Sequence, residues 1–215
     1  MAKLNKFEKW FRTLHRLERI FFRPFFPYKK FGHTETFNDR PYIFVGNHLG
    51  LLDVVYSAVG TDKPVHFLAK KDLFEKGLMK KFVTKCQCIP VSRDGTDVKA
   101  IMQAMKYLKN GESIAIYPEG TRNKTKEIFL PFKSGAAAIS IKTKTPIVPI
   151  VHLKKIRFLR KENVIYGEPL EFSEYYDKRL TEEDIAVCDE ALRNRMFELH
   201  AELTELTSKK RRKSK

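Results

Sequence analysis

Between residues 41 and 166 the chain alternates two kinds of segment, and this alternation limits the fold more than any other feature. Short β-branched and aromatic runs at 42–45, 66–69, 88–91, 113–117, 146–151 and 163–166 read as strands, the third weakened by Pro90. Between them lie stretches with helical spacing, at about 52–59, 72–85, from a cap at Thr96 or Asp97 to Leu108, and 134–142, with a longer one at about 182–206. The Asn110-Gly111 pair closes the third of these. Strand and helix in strict turn predict an α/β fold: a mixed, mostly parallel sheet flanked by helices. At 215 residues and 42% hydrophobic, the chain is long enough for one domain with a real core.

The first 35 residues read differently. Leu4, Phe7, Trp10, Phe11, Leu14, Leu17 and Phe21 fall on one side of a helix, with Lys9, Arg12, Arg16, Arg19 and Arg23 opposite. Pro24 and Pro27 stop that helix and bend the chain. Eight of the 17 phenylalanines lie in residues 1–37. A basic amphipathic helix rich in aromatics suits an in-plane membrane anchor, and equally a helix packed on its own core. The expected organisation is an amphipathic membrane-association segment at 1–35, an α/β domain at 36–208 and a basic tail at 209–215. Residues 41–61 are apolar enough to suggest a membrane span, but Gly46, Asn47, His48, Gly50 and Asp53 interrupt them, so no transmembrane helix is expected. No secretory leader is legible, because basic residues break up the N-terminal apolar run.

The formal net charge is +16, and the two ends carry most of it: residues 1–40 hold ten basic and four acidic residues, and residues 209–215 six basic ones. Such an excess points to an anionic partner: a membrane surface, a phosphorylated substrate or nucleic acid. The last lacks the interleaved aromatics and fold signature it needs, so no nucleic acid is expected. Cys86, Cys88 and Cys188 are too few for a disulfide scaffold, and Cys86-Gln87-Cys88 has the wrong spacing for zinc. They read as buried thiols, and no metal is implied. The phosphate-binding glycine loops and the serine-hydrolase elbow are also missing.

Two polar clusters follow predicted strands. The first is Asn47-His48-Leu49-Gly50-Leu51-Leu52-Asp53. On a regular helix, residues five apart are turned about 140° from each other and lie about 7.5 Å apart along the axis. With His48 in a turn and Asp53 in the first helical turn, the carboxylate can instead bind one imidazole nitrogen and leave the other as a base. The second cluster is Glu119-Gly120-Thr121-Arg122, in which Gly120 allows a tight turn while Thr121 and Arg122 offer donors to a phosphate. Arg93 follows another strand. In an open α/β sheet, loops at the carboxyl ends of the strands converge on one crevice.

Taken in order, these motifs resemble the glycerolipid acyltransferase family, in particular its bacterial members that acylate 1-acylglycerol-3-phosphate. The resemblance rests on His48 and Asp53 behind Asn47, Ala69-Lys70-Lys71-Asp72-Leu73, Ile89-Pro90-Val91-Ser92-Arg93, and Glu119 to Arg122. It extends through Pro131-Phe132-Lys133-Ser134-Gly135, Pro146-Ile147-Val148-Pro149 and Tyr166-Gly167-Glu168-Pro169, and so covers about residues 35–175. Asp72 replaces the family's usual Glu, and Ser92 stands where Asp is common.

The resemblance implies transfer of a fatty acyl group from a thioester to the sn-2 hydroxyl of 1-acylglycerol-3-phosphate, giving phosphatidic acid. The same chemistry on another lysolipid or on glycerol phosphate is the alternative. His48 is then the general base and Asp53 its orienting partner, without a covalent acyl-enzyme. Gly120, Thr121, Arg122 and Arg93 are expected at the acceptor's phosphate, and Glu119 is expected to orient Arg122 or an acceptor hydroxyl. Lys70, or a backbone N–H near Gly50, is a candidate oxyanion donor. No cofactor is implied. The expected partners are a membrane lipid acceptor, acyl-CoA or acyl carrier protein as donor, and an anionic membrane surface. The expected location is peripheral, on the cytoplasmic face of the cell membrane.

Overall fold

The computed structural model describes residues 6–92 and 97–213. Arg93, one of the expected phosphate ligands, lies outside the described residues, as does Leu4. Seven strands form one sheet: β1 (Tyr28–Gly32), β2 (Ile43–Gly46), β3 (Val65–Lys70), β4 (Ile89–Val91), β5 (Ser113–Ile116), β6 (Ile147–His152) and β7 (Glu162–Tyr166). Their spatial order is β1-β7-β6-β2-β5-β3-β4. Every neighbouring pair is parallel except β6 with β7, so the sheet is mixed and mostly parallel, as expected.

The central strands are apolar on both faces because both are covered. Ile43, Val45, Ile114, Ile116 and Ile147 point to one side, while Phe44, Ala115 and Val148 point to the other. The first side packs against α4 (Val98–Lys109), α5 (Ala136–Thr143) and α6 (Glu182–Lys213). α6 contributes a single stripe of Cys188, Leu192, Met196, Leu199 and Leu203, spaced three and four apart. The second side carries α2 (Val54–Ala58) and α1 (Lys6–Leu17), with α3 (Gly77–Lys85) beside them through Val83, Trp10 and Phe67. Pro149 is tolerated in a central strand because its carbonyl, and hence its missing N–H, faces β7 where that ladder ends at Gly167.

Three segments depart from the sequence expectation. The helix anticipated at 72–85 is split into a 3₁₀ turn (Lys71–Phe74) and α3, whose first residue, Gly77, has a φ of +77°. α6 runs on through Lys213, beyond the expected stop near 206. β1 was not anticipated; it pairs with β7 and places residues 28–32 at the edge of the sheet.

At the N-terminus the amphipathic helix packs on the core through only some of its apolar residues. Phe7 and Phe11 are buried against the sheet, and the Phe7 ring stacks 5.1 Å from that of His66. The helix continues as a π-helical turn (Glu18–Phe22) that ends ahead of Pro24. There the apolar residues leave the core: Leu17, Ile20, Phe21 and Phe25 are exposed, Phe21 to 62%. Phe158 and Leu159 extend this patch, with Phe158 stacked on Phe25 at 5.7 Å.

Candidate active site

β2, β5 and β6 are adjacent and parallel, so the loops that follow them open at one end of the sheet. Beyond β2, the Asn47 side chain continues the ladder to β6. Its Nδ2 donates to the carbonyl of His152 at 3.0 Å, and its Oδ1 accepts from the His152 N–H at 3.1 Å. The chain then turns sharply through His48. The backbone of His48 is held by the second cluster on both sides: its N–H donates to Glu119 Oε1 at 2.7 Å and its carbonyl accepts from the Asn123 N–H at 2.7 Å. The two polar clusters, about seventy residues apart in sequence, therefore form one site.

Asp53 closes the turn as the last residue of a 3₁₀ segment (Leu51–Asp53). Its Oδ2 accepts from the N–H groups of Leu49 and Gly50, both at 2.6 Å, and from His48 Nδ1 at 2.9 Å. The placement is the one the sequence suggested, a histidine in the turn and a carboxylate at the helix start. Because Nδ1 faces a carboxylate it is assigned the proton, which leaves the Nε2 lone pair of a neutral ring free. The His48 side chain is 21% exposed, and its ring leans on Tyr117 with centroids 4.9 Å apart. The Asp53 side chain is fully buried. A histidine held through Nδ1 by a buried carboxylate is the arrangement that an oriented base requires.

Glu119 binds backbone with both oxygens: Oε1 holds His48, and Oε2 accepts from the Leu130 N–H at 2.9 Å. Burial pushes its carboxyl above the usual range, and the two backbone N–H groups pull it back. Gly120 sits at a φ of +63°, where only glycine is unstrained, and the methylenes of Lys133 pass 2.9 Å from where a Cβ would stand. Thr121 and Arg122 are exposed on the outside of this turn, next to the Asn123 that binds His48.

Lys70 ends β3, with its side chain exposed. By register it is level with Asn47 but two strands away, about 10 Å across the sheet. Ser92, next to Arg93 in sequence, is hydrogen-bonded to Asp97, the N-cap of α4, at 2.9 Å. Among the described residues, no three His, Cys, Asp or Glu side chains are grouped to hold a metal.

Sequence reasoning missed Lys133, Lys155 and His152. The Lys155 side chain covers Gly50 as Lys133 covers Gly120, with its methylenes 2.9 Å from an added Cβ. Two further ammonium groups are thereby carried on the two turns that form the site. Lys133 was visible within the Pro131-Phe132-Lys133-Ser134-Gly135 motif but was given no role, and Lys155 was marked only by its place after β6. His152 ends β6 and is buried.

Comparison with known proteins gives a consistent picture. A family model described as Acyltransferase matches residues 29–153. A Bacillus subtilis protein named 1-acyl-sn-glycerol-3-phosphate acyltransferase is 32% identical over 174 residues, covering 78% of this chain and 85% of its own length. A Helicobacter pylori protein of the same name is 32% identical over 131 residues, covering 59% of this chain and 54% of its own. Among solved structures, the 1-acyl-sn-glycerophosphate acyltransferase of Thermotoga maritima matches with a TM-score of 0.64 over 90% of this chain and 80% of its own. At 24% identity that match bears on the fold alone.

Proposed function

This chain belongs to the acyltransferase family, and from that membership we propose that it acylates the sn-2 hydroxyl of 1-acylglycerol-3-phosphate from an acyl thioester, yielding phosphatidic acid. The observation that carries the mechanism is the 2.9 Å contact of His48 Nδ1 with Asp53, which leaves Nε2 of a partly exposed ring available as the base. The acceptor hydroxyl oxygen attacks the thioester carbonyl carbon while His48 Nε2 takes its proton. The tetrahedral intermediate then breaks its C–S bond, and the thiolate of coenzyme A or acyl carrier protein leaves with that proton. Asp53 holds the ring and stabilises the charge it carries in between. A thioester already has a good leaving group, so direct transfer needs no covalent acyl-enzyme.

The phosphate of the acceptor is assigned to the turn after β5, where Arg122 and Thr121 are exposed and Lys133 lies across Gly120. A bidentate, charge-assisted contact is worth about 1.5–3 kcal/mol. Arg122→Ala should therefore raise the acceptor KM about tenfold or more and leave the donor KM nearly unchanged. Steady-state kinetics with each substrate varied in turn decides this. A raised donor KM with an unchanged acceptor KM would move the arginine to the donor side and remove the case for a phosphorylated acceptor.

Access to a lipid acceptor falls to the exposed patch of Leu17, Ile20, Phe21, Phe25, Phe158 and Leu159, bordered by Arg19, Arg23, Arg157 and Arg160. Among the described residues no helix is long and apolar enough to cross a membrane, and the proposed attachment is peripheral, on the cytoplasmic face. Each half-exposed side chain is worth about 1 kcal/mol on insertion. Replacing Leu17, Ile20, Phe21 and Phe25 by Ser should then cut partitioning into anionic vesicles by about tenfold or more, with little change in thermal stability. Activity on long-chain acceptors should fall more than on a short-chain, water-soluble analogue. Sedimentation with vesicles checks the first expectation, and unchanged binding would place the membrane contact elsewhere.

A further inference from the structure

His152 has no part in the chemistry above, yet it is built into its foundation. It stands at the end of β6, about a hundred residues from Asp53, and is 2% exposed. Its backbone is paired with the Asn47 side chain, and its ring lies 5.0 Å from that of Tyr56. Both ring nitrogens face carbonyl oxygens: Nδ1 lies 3.0 Å from that of Lys154, and Nε2 lies 3.2 Å from that of Asn47.

The other half of the argument is Asp53. Its side chain is wholly buried, and the three donors that hold it all converge on Oδ2. Oδ1 is equally buried and has no hydrogen bond among the described residues. A carboxylate in that position needs compensation. His152 Nε2 lies 3.7 Å from Oδ1, longer than a hydrogen bond but within ion-pair range. The carboxylate is thus flanked by two histidines, His48 on one oxygen and His152 on the other.

We propose that His152 is a positioning residue of the reaction: its Nε2 ties the carbonyl of Asn47 to β6, faces the free oxygen of Asp53, and through Asp53 sets the orientation of His48. This role rests on His48 being the base. His152 touches neither substrate nor the reacting atoms. It fixes the residue before His48 and the carboxylate behind it, the two points that determine where Nε2 points. Small displacements of a reacting group cost up to about a hundredfold in rate, so the effect belongs in kcat.

The test compares two substitutions that keep different halves of the ring. In His152→Asn the amide reaches only the Nδ1 position, toward Lys154. In His152→Gln it reaches the Nε2 position, toward Asn47 and Asp53. His152→Asn should lower kcat about tenfold or more with the acceptor KM changed less than about threefold, and His152→Gln should recover most of that loss. In a His48→Ala background, His152→Asn should cost nothing further. Wild-type kcat in His152→Asn, or equal losses in the two variants, would overturn the proposal. If His48→Ala is inactive and His152→Asn is not, only the role of His152 fails; if His48→Ala is itself active, the base assignment fails first. Should His152→Asn not fold, ¹⁵N spectra of histidine-labelled wild-type protein, with His152→Gln to identify the signal, read the ring directly. A proton on Nε2 supports the proposal, and an Nε2 without one overturns it.

Discussion

His48→Ala is expected to lower turnover by about 10²- to 10⁴-fold, the contribution of a positioned general base, while the protein stays folded. The turn does not depend on the imidazole, because the bonds to Glu119 and Asn123 use the backbone of residue 48. Asp53 keeps its two amide donors from Leu49 and Gly50, so removing the ring does not leave Oδ2 unpaired. The side chain is also partly exposed, and its loss opens no sealed cavity. A thermal midpoint within a few degrees of wild type, measured beside the rate, separates lost chemistry from lost structure. Less than about tenfold loss of rate would be too little for a base of this kind.

Asp53→Asn should cost less than His48→Ala, for a reason particular to this geometry. The oxygen that receives His48 is the same one that receives the Leu49 and Gly50 amides. An asparagine therefore keeps its carbonyl oxygen there, and the ring proton stays on Nδ1. What disappears is charge, and an NH₂ donor takes the place of Oδ1 opposite His152 Nε2. A hydrogen bond to a charged partner exceeds a neutral one by about 1–2 kcal/mol, so turnover should fall about ten- to thirtyfold. Asp53→Ala should fall further and lose stability, since each buried amide left unpaired costs about 1–3 kcal/mol. Comparing kcat and thermal midpoint across the two variants checks this. A loss below about threefold in Asp53→Asn would mean that the charge is not used.

The parts of the molecule legible in the sequence are those whose cause is local. β2, β5 and β6 read as unbroken apolar runs because helices cover both faces of the sheet there. The turn at Gly120 was legible because a positive φ selects glycine. β1 was not. Its sequence, Tyr-Lys-Lys-Phe-Gly, has half-exposed lysines because it is an edge strand, and its partner β7 is more than a hundred residues away. The hold of Glu119 on backbone was not legible, because residue types announce side-chain and substrate partners, whereas these targets are backbone N–H groups that any sequence possesses. His152 was hidden for a similar reason: its meaning comes from a carboxylate oxygen left open on a different loop. The break ahead of α3 was visible in Gly77 and outweighed by the helical spacing around it.

The claim that joins site to function is that the base at His48 delivers an acyl group to a phosphorylated lysolipid. Its most direct test is mass spectrometry of the products formed by purified wild-type and His48→Ala protein from an equimolar set of lysophospholipids and glycerol phosphate, with acyl-CoA and acyl carrier protein tried separately as donors. Phosphatidic acid should dominate with the wild type and fall by about a hundredfold or more in the variant. Free fatty acid, acylation of a different acceptor, or phosphatidic acid undiminished in His48→Ala would contradict it.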